Sequence, residues 1–166
     1  SRLAPALPLI GGGHTKFTPL FVGDLAEAVA RLIDTGEASG KTFELGGPEA
    51  FSFKQLLEFT LETIGRKRLL IPIPWTVAKI LGSVLGILNN DFVRMSSLGL
   101  LPKAPLTADQ VELLKTDNVV SEAATREGRD LVGLGITGQS IQGIVPSYLY
   151  RYRKAGQFTV PKGIPE

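Results

Sequence analysis

The sequence has no cysteine, and it has one histidine, one methionine and one tryptophan among its 166 residues. Without cysteine the chain forms no disulfide, thiolate metal site or cysteine nucleophile, and this composition suits a reducing compartment. Aromatic residues make up 7% of the chain, and its 18 basic residues nearly balance its 16 acidic ones. The balance of charge argues against a nucleic-acid-binding protein. The aliphatic content excludes a disordered chain.

One domain with a hydrophobic core is the default expectation at this length, with roughly two-thirds of the unfolded surface buried. The opening SRLAPALPLI has no initiating methionine, and the only methionine is Met95. No small-residue cleavage site of a signal peptide follows the opening. We therefore expect a fragment of a longer polypeptide, cut at Ser1.

Extended and helical segments alternate over the first half of the sequence. Short apolar or β-branched runs predict strands at residues 7–10, 15–22, 41–45 and 68–74. Asp24 precedes the amphipathic run LAEAVARLID, with Glu27 three residues later, and Ser52 precedes FKQLLEFTLETIG. Both residues are predicted helix caps. The alternation predicts an α/β fold with crossover connections.

The run LLIPIPWTVAKILGSVLGIL, residues 69–88, contains Lys79 as its only charge. Its length raises the possibility of a membrane span, but two prolines near its start oppose that reading. From Pro74 onward a helical face carries the apolar side chains Val77, Ile80, Leu81, Val84, Leu85 and Leu88. An amphipathic helix packed on a partner is therefore favoured over a span, and a helix lying flat on a membrane stays open as an alternative.

The signals are weaker in the second half. Thr107 or Asp109 is a candidate cap for ADQVELLK, and residues 116–125 read as a polar loop. Residues 140–154 predict a helix that Pro146 kinks.

The glycine triplet Gly11–Gly13 has the composition of a phosphate-binding loop but not its context. A dinucleotide cradle lies between a strand and a helix, whereas HTKFTPLFV after the triplet is strand-like, and the triplet itself does not fit G-x-G-x-x-G spacing. A turn is therefore predicted. Gly46, Gly47 and Pro48 likewise read as a strand-to-helix connection.

Candidate catalytic and metal-binding residues are few. His14 has no carboxylate at helical spacing to complete a metal site, so we expect a loop histidine and no metal. Tyr150 and Lys154 match the Y-x-x-x-K spacing that lowers a tyrosine pKa. The match lies in the Tyr- and Arg-rich YLYRYRK, with no glycine-rich cradle before it, and we assign it to chance. No catalytic residue is expected in this chain.

Four segments together resemble the 39-kDa accessory subunit family of respiratory complex I, a branch of the atypical extended short-chain dehydrogenase/reductases in the NAD-dependent epimerase/dehydratase superfamily. They are PLIGGGHTKFTPLFVGDLAEAVARLID, KTFELGGPEAFSFKQLLEFTLETIG, LLKTDNVVS and LGITGQSIQGIVPSYLYRYR. FVGDLAEAV (residues 21–29) is shared with sugar-nucleotide epimerases. LLKTDNVVS (residues 113–121) is typical of the complex-I-like branch.

The resemblance implies a partial Rossmann-type fold, comprising its last strands and helices, with the small carboxy-terminal substrate lobe. We expect terminal α/β units at residues 1–70, a mainly helical lobe at 71–155 and an extended tail at 156–166. NADP(H) or NAD(H) is implied for the full-length protein, bound upstream of Ser1, and none for this fragment. Lys16 and Phe17 match the segment entering the substrate lobe and are the expected cleft residues.

The function implied is that of a NAD(P)-binding, complex-I-associated accessory or assembly protein without catalysis. The alternative is the substrate lobe of an active NAD(P)-dependent oxidoreductase or sugar-nucleotide epimerase/dehydratase, acting on a sugar nucleotide or a quinone-related substrate. Expected partners are other subunits of a respiratory NADH dehydrogenase, with no nucleic acid. We expect a cytoplasmic location, or peripheral attachment to the inner face of the inner membrane. An exposed sheet edge predicts self-association.

Overall fold

The computed structural model describes residues 6–36, 38–88 and 108–153, except the side chains of residues 84–88. It divides the chain into two compact units, each built from two separate stretches. The first unit comprises residues 1–15 and 68–117, and the second comprises residues 16–67 and 118–166. The units therefore do not follow the consecutive ranges expected from the sequence, because strands about sixty residues apart pair with each other.

In the described part of the first unit there are two strands and two helices. Strands β1 (Ala6–Ile10) and β4 (Leu69–Ile73) pair in parallel, with Ala6 opposite Leu69 and Ile10 opposite Ile73. A 3₁₀ turn at Gly11–Gly13 follows β1, helix α3 (Trp75–Leu88) follows β4, and helix α4 (Ala108–Leu113) packs on α3. The core consists of buried Ile10, Ala78 and Val111 together with Ile73, Trp75 and Leu114.

The second unit is mainly helical. Its helices are α1 (Val22–Thr35), α2 (Phe53–Thr63), α5 (Glu122–Arg126) and α6 (Ile141–Leu149), with a 3₁₀ turn at Tyr150–Tyr152. Strands β2 (Lys16–Phe17) and β3 (Phe51–Ser52) pair antiparallel. The core joins Ala28 of α1 to Leu131 and Ile136, with Leu20, Leu45 and Leu134 around them.

The mixed α/β class predicted from the sequence is confirmed, and its parallel pair is that of a crossover connection. Two of the predicted strands differ. Of residues 15–22, only Lys16–Phe17 form a strand before α1 begins at Val22. The described residues 41–45 form none, because the Glu44 N–H donates a single hydrogen bond to the Arg129 carbonyl (2.9 Å) instead of joining a ladder.

The predicted loop at residues 116–125 contains the start of α5. The Ser121 hydroxyl caps this helix by accepting a hydrogen bond from the Ala124 N–H at 3.1 Å. Helix α6 is capped in the same way by Ser140, and Pro146 lies inside it. Asp109 lies in the first turn of α4, whereas the alternative cap Thr107 lies outside the described residues.

Helix α3 buries a smaller side chain than its sequence predicts. Among the helix residues whose side chains are described, Ala78 is fully buried, while Val77, Ile80 and Leu81 are exposed. The part of the predicted packing face with described side chains is therefore exposed, and the contact with α4 includes Ala78 and Val111. The side chains of Val84, Leu85 and Leu88, the rest of that face, are outside the described part of the structure. None of the helices described in the structure combines the length and apolarity that crossing a bilayer requires.

Candidate functional site

A cavity of about 610 Å³ opens in the second unit, where four segments of the chain meet. The segments are Thr18, the Gly46–Gly47–Pro48 turn, residues 119–125 and residues 130–138. The turn approaches the first segment so closely that a Cβ on Gly47 would lie 1.9 Å from the Pro19 carbonyl oxygen. The Gly47 N–H also donates to the Thr18 carbonyl at 3.3 Å. Glycine is therefore required at this wall of the cavity.

The cavity is lined mainly by apolar side chains, with a few polar groups. Leu131, Val132 and Ile136 contribute apolar surface, and Thr18, Thr125 and Thr137 contribute hydroxyls. Asp130 is buried, and its Oδ1 accepts a hydrogen bond from the Gly133 N–H at 2.7 Å. Among the described lining residues none is basic. The lining therefore suits an uncharged or weakly polar group better than a phosphate.

Lys16 and Phe17, the expected cleft residues, lie beside this cavity without lining it. Their short strand is held between Phe51–Ser52 and Asn118, with the Asn118 N–H donating to the Lys16 carbonyl at 2.8 Å. The Phe17 ring packs on Phe53, with centroids 6.3 Å apart. Lys16 is exposed. Thr18 is the residue of this segment that reaches the cavity. Contact of Lys16 and Phe17 with a substrate stays a prediction.

Asp24 is not the cap of α1, contrary to the sequence prediction. The helix begins at Val22, with Phe21 as its N-cap residue. Asp24 therefore lies inside the first turn, where it is buried. Its carboxylate accepts a hydrogen bond from the Gln139 backbone N–H at 2.7 Å and one from the Gln139 side chain at 3.4 Å. The side chain therefore joins distant segments of the second unit instead of closing its own helix.

Ser52 is the N-cap of α2, the role predicted for it. Its hydroxyl accepts from the Gln55 N–H at 3.2 Å, and the Gln55 side chain accepts from the Ser52 N–H at 2.7 Å. This reciprocal pair is a capping box. It fixes the start of α2 immediately after β3, which pairs with the Lys16–Phe17 strand.

Glu44 and Ser121 form a contact that sequence reasoning missed. The Ser121 N–H donates to Glu44 Oε2 at 2.8 Å, and the Ser121 hydroxyl donates to Oε1 at 3.0 Å. The backbone hydrogen bond, then the hydroxyl, and to a smaller extent the charge of Arg129 hold the pKa of Glu44 below its ordinary value. A serine followed by the acidic residue Glu122 is a pattern that indicates the start of α5, but no local pattern indicates the contact of Ser121 with Glu44.

The glycine triplet forms a turn, as the sequence predicts. All three glycines have positive φ, and a Cβ on Gly11 would lie 2.0 Å from the Trp75 ring. The indole therefore occupies the space beside the turn. His14 is exposed. Over the ranges that the structure describes, no three His, Asp or Glu side chains are grouped to hold a metal ion.

Lys154, the second member of the Tyr150 and Lys154 pair, lies outside the described residues. Tyr150 is partly exposed, at 39%, in the 3₁₀ turn that follows α6. The tail at residues 156–166 is likewise outside the described ranges.

The chain is similar along nearly its whole length to subunits of mitochondrial complex I. It is 36% identical over 165 residues to the Arabidopsis thaliana mitochondrial NADH dehydrogenase [ubiquinone] 1 alpha subcomplex subunit 9, covering 96% of this chain and 39% of that protein. It is 25% identical over 150 residues to the Neurospora crassa mitochondrial NADH-ubiquinone oxidoreductase 40 kDa subunit, covering 90% of this chain and 36% of that protein. The chain therefore spans less than half the length of either relative.

A shorter similarity links the chain to a rice protein named Cyclin-B1-2, at 35% identity over 71 residues, which is 42% of this chain and 18% of that protein. No family model matches the chain. The similarity to the two NADH dehydrogenase subunits confirms the resemblance to the 39-kDa accessory subunit family on which the sequence interpretation rests.

Proposed function

We propose, from the relationship of this chain to the complex I 39-kDa-type subunits, that it is the carboxy-terminal part of a complex I accessory or assembly protein. The observation that carries the proposal is the 36% identity over 165 residues with the Arabidopsis subunit. Its partners are then other subunits of the respiratory NADH dehydrogenase. Its location is peripheral, on the inner face of the membrane that holds the complex.

The full-length protein binds NADP(H) or NAD(H) without turning it over, and the nucleotide is held by segments beyond this chain. Two features of the described structure support this part of the proposal. The Gly11–Gly13 turn is filled by the Trp75 indole, which leaves little room for a pyrophosphate. The cavity in the second unit has no basic residue in its described lining. Phosphate recognition by proteins relies on cationic side chains or on helix N-termini.

An active enzyme is the alternative, with this chain as the substrate lobe of a NAD(P)-dependent oxidoreductase or of a sugar-nucleotide epimerase/dehydratase. The cavity beside Thr18 favours it, since about 610 Å³ lies within the range of small-molecule sites, roughly 300–1,000 Å³. A Y-x-x-x-K pair following a serine or threonine in the upstream half of the protein would support this alternative.

Native gel electrophoresis of membranes from the source organism tests the accessory role. The full-length protein carries an affinity tag at its own locus, and the gel is stained for NADH dehydrogenase activity. Co-migration of the tagged protein with the active complex, or with an assembly intermediate of it, is the expected result. Migration only as a free protein, with normal assembly of the complex after deletion of the gene, would contradict the proposal.

Calorimetric titration with NADPH and NADH tests the proposed nucleotide binding separately from the proposed association with complex I subunits. We expect binding by the full-length protein, none by residues 1–166 alone, and no oxidation of the bound nucleotide with quinone or sugar-nucleotide acceptors. Turnover above the buffer rate would favour the enzyme. Tight binding by residues 1–166 alone would place the nucleotide site in this chain and would contradict the assignment of Gly11–Gly13 to a structural turn.

A further inference from the structure

A cluster of arginine, lysine and tyrosine side chains lies where the end of α2 meets the end of α6. The Arg153 guanidinium donates to the Thr63 carbonyl at 3.0 Å, and the Arg66 guanidinium donates to the Tyr152 carbonyl at 3.4 Å. These two bonds hold residues 63–67 against residues 148–153. The members, which we call the basic–tyrosine patch, are Arg66, Lys67, Tyr148, Tyr150, Arg151, Tyr152 and Arg153.

The charge of the patch has one sign. The joined stretches TIGRK and YLYRYR contain four basic residues and no acidic one, although the chain as a whole is nearly neutral. Lys67 and Arg151 are exposed, whereas Arg66 and Arg153 are half-buried and tie the two stretches together. Such a concentration of cations produces a local positive field that favours an anionic partner.

The tyrosines add exposed aromatic surface to the cationic patch. Tyr148 and Tyr152 are each 55% exposed and Tyr150 is 39% exposed, so apolar ring surface faces solvent. Arg151 and Tyr152 belong to the 3₁₀ turn that directly follows α6, the helix that contains Tyr148, so cations and rings come together at this end of the helix. Tyrosine has an apolar ring and a polar tip, and it is enriched at the level of phospholipid headgroups.

An apolar groove of about 240 Å³ ends at the same tyrosine. Tyr148 forms part of its wall, together with Phe21, Ile141, Ile144 and Val145. The groove thus runs along α6 toward the cationic end of the helix. Apolar surface next to a cluster of lysine and arginine is the arrangement found in segments that bind the boundary between headgroups and acyl chains.

We propose that the basic–tyrosine patch binds the surface of a membrane containing anionic phospholipids, with the tyrosine rings at headgroup level and the groove facing the acyl-chain boundary. This surface acts independently of nucleotide binding and of contact with complex I subunits. An acidic protein or RNA would be attracted by the same charge, and RNA bases also stack on exposed aromatic rings, but neither partner accounts for the apolar groove beside the rings.

Vesicle flotation tests the proposal with the full-length protein and no other polypeptide present. Vesicles of phosphatidylcholine alone are compared with vesicles of phosphatidylcholine mixed with phosphatidylglycerol. We expect binding to the mixed vesicles only, weakening as salt is raised because exposed charges are screened. Since the assay contains neither nucleotide nor complex I, its outcome is independent of the proposed function.

Matched variants locate the binding surface. Lys67→Gln with Arg151→Gln should weaken vesicle binding by about tenfold or more, because each cation near an anionic surface contributes roughly fivefold. Lys41→Gln with Arg126→Gln removes the same charge from exposed positions elsewhere in the second unit and should change binding by less than about twofold. Tyr152→Ser leaves the charge unchanged and should also weaken binding, since the ring is lost while the Tyr152 carbonyl still accepts from Arg66.

Three outcomes would overturn the proposal. They are equal binding to both kinds of vesicle, equal loss in the patch and control variants, and preferential binding of soluble polyglutamate or RNA over vesicles. Circular dichroism and thermal unfolding of each variant establish that it is folded. An unfolded Lys67→Gln/Arg151→Gln protein would leave Tyr152→Ser as the deciding variant.

Discussion

The carboxylate of Asp24 accepts a hydrogen bond at 2.7 Å from the backbone N–H of Gln139, a residue that lies 115 positions later in the chain. Asp24 is 4% exposed, in the first turn of α1, and Gln139 precedes the cap of α6. One side chain therefore joins the FVGDLAEAV motif to the late LGITGQS segment. In the same unit, Arg31 of α1 donates to the Leu134 carbonyl at 2.7 Å, so α1 is attached to this segment at two points.

Replacing Asp24 tests this attachment. Asp24→Ala leaves the Gln139 N–H without its charged acceptor, and we expect a loss of about 1.5–3 kcal/mol in the free energy of unfolding. Asp24→Asn retains a carbonyl acceptor without the charge, so its loss should be smaller, about 0.5–1.5 kcal/mol. Urea denaturation measures both values. Asp34→Asn, at an exposed position of the same helix, is the control. Equal effects at positions 24 and 34 would contradict the structural role of Asp24.

Glu44 gives the chain a predictable dependence on acid. Ser121, through its N–H and its hydroxyl, and then Arg129 hold the pKa of Glu44 below its ordinary value of 4.5 in the folded state. The unfolded state therefore binds the proton more tightly. The stabilisation from this group is complete above the unfolded pKa and is lost as pH falls through the lower folded pKa.

Glu44→Gln should accordingly destabilise the protein at neutral pH and reduce the loss of stability below about pH 4.5. Ser121→Ala removes the hydroxyl donor but keeps the N–H, so the pKa of Glu44 in the folded state should rise only part of the way toward its ordinary value. Urea denaturation from pH 7 to pH 3 measures the free energy of unfolding of each protein. A difference between wild type and Glu44→Gln that stays constant over this range would contradict the assignment.

Gly11 is required for two separable reasons. Its φ of +58° disfavours any residue with a side chain, and a Cβ there would lie 2.0 Å from the Trp75 ring. Gly36 has a φ of +68°, and a Cβ at that position would meet no atom within 4 Å, so Gly36 reports the backbone cost alone. We expect Gly36→Ala to lower the free energy of unfolding by about 1–2 kcal/mol. Gly11→Ala should lower it by about 1–3 kcal/mol more, because the added methyl group would overlap the Trp75 ring. Equal losses by thermal unfolding would show that the Trp75 contact is not tight.

Local patterns predicted the elements of this fold better than their connections. Apolar periodicity located α1, α2 and α3, and Ser52 was correctly predicted as a helix cap, because these features depend on neighbours within one or two helical turns. The roles of Asp24 and Glu44 depend on Gln139 and Ser121, which are distant in sequence. A carboxylate near a helix start has the same local pattern whether it caps that helix or bonds to a remote segment.

The cavity illustrates the same limit for the candidate site. The sequence directed attention to Lys16 and Phe17, whereas the residue of this segment that lines the cavity is Thr18. Strand pairing decides which neighbour faces inward, and here the pairing partners Phe51 and Asn118 come from two remote stretches. The close approach of Gly47 to the Pro19 carbonyl is likewise not indicated by any pattern in the neighbouring sequence.

The parallel pair of β1 and β4 predicts self-association of residues 1–166. Within the described ranges the sheet has two strands, so each strand has one edge without a strand partner. Exposed edges of this kind promote pairing between chains. Light scattering over a wide concentration range should therefore give a mass above 17.8 kDa that rises with concentration. A constant monomer mass would contradict this prediction.

An apolar stripe on α1 predicts a further contact of the full-length protein. Val22, Leu25, Val29 and Ile33 recur at helical spacing and are 39–74% exposed, whereas Ala28 on another face is fully buried. Contiguous exposed apolar surface of this kind is typical of a binding interface. Ile33, the most exposed of the four, is the position at which to introduce a charge.

Ile33→Lys should change the free energy of unfolding of residues 1–166 by no more than about 0.5 kcal/mol, because the side chain is 74% exposed in this chain. The same substitution in the full-length protein should reduce its co-migration with the NADH dehydrogenase, since a charge would then be buried at the contact. Ala30→Lys adds the same charge beside the stripe and is the control. Normal co-migration of Ile33→Lys would exclude the α1 stripe from the interface. Loss in both variants would indicate sensitivity to added charge anywhere on α1.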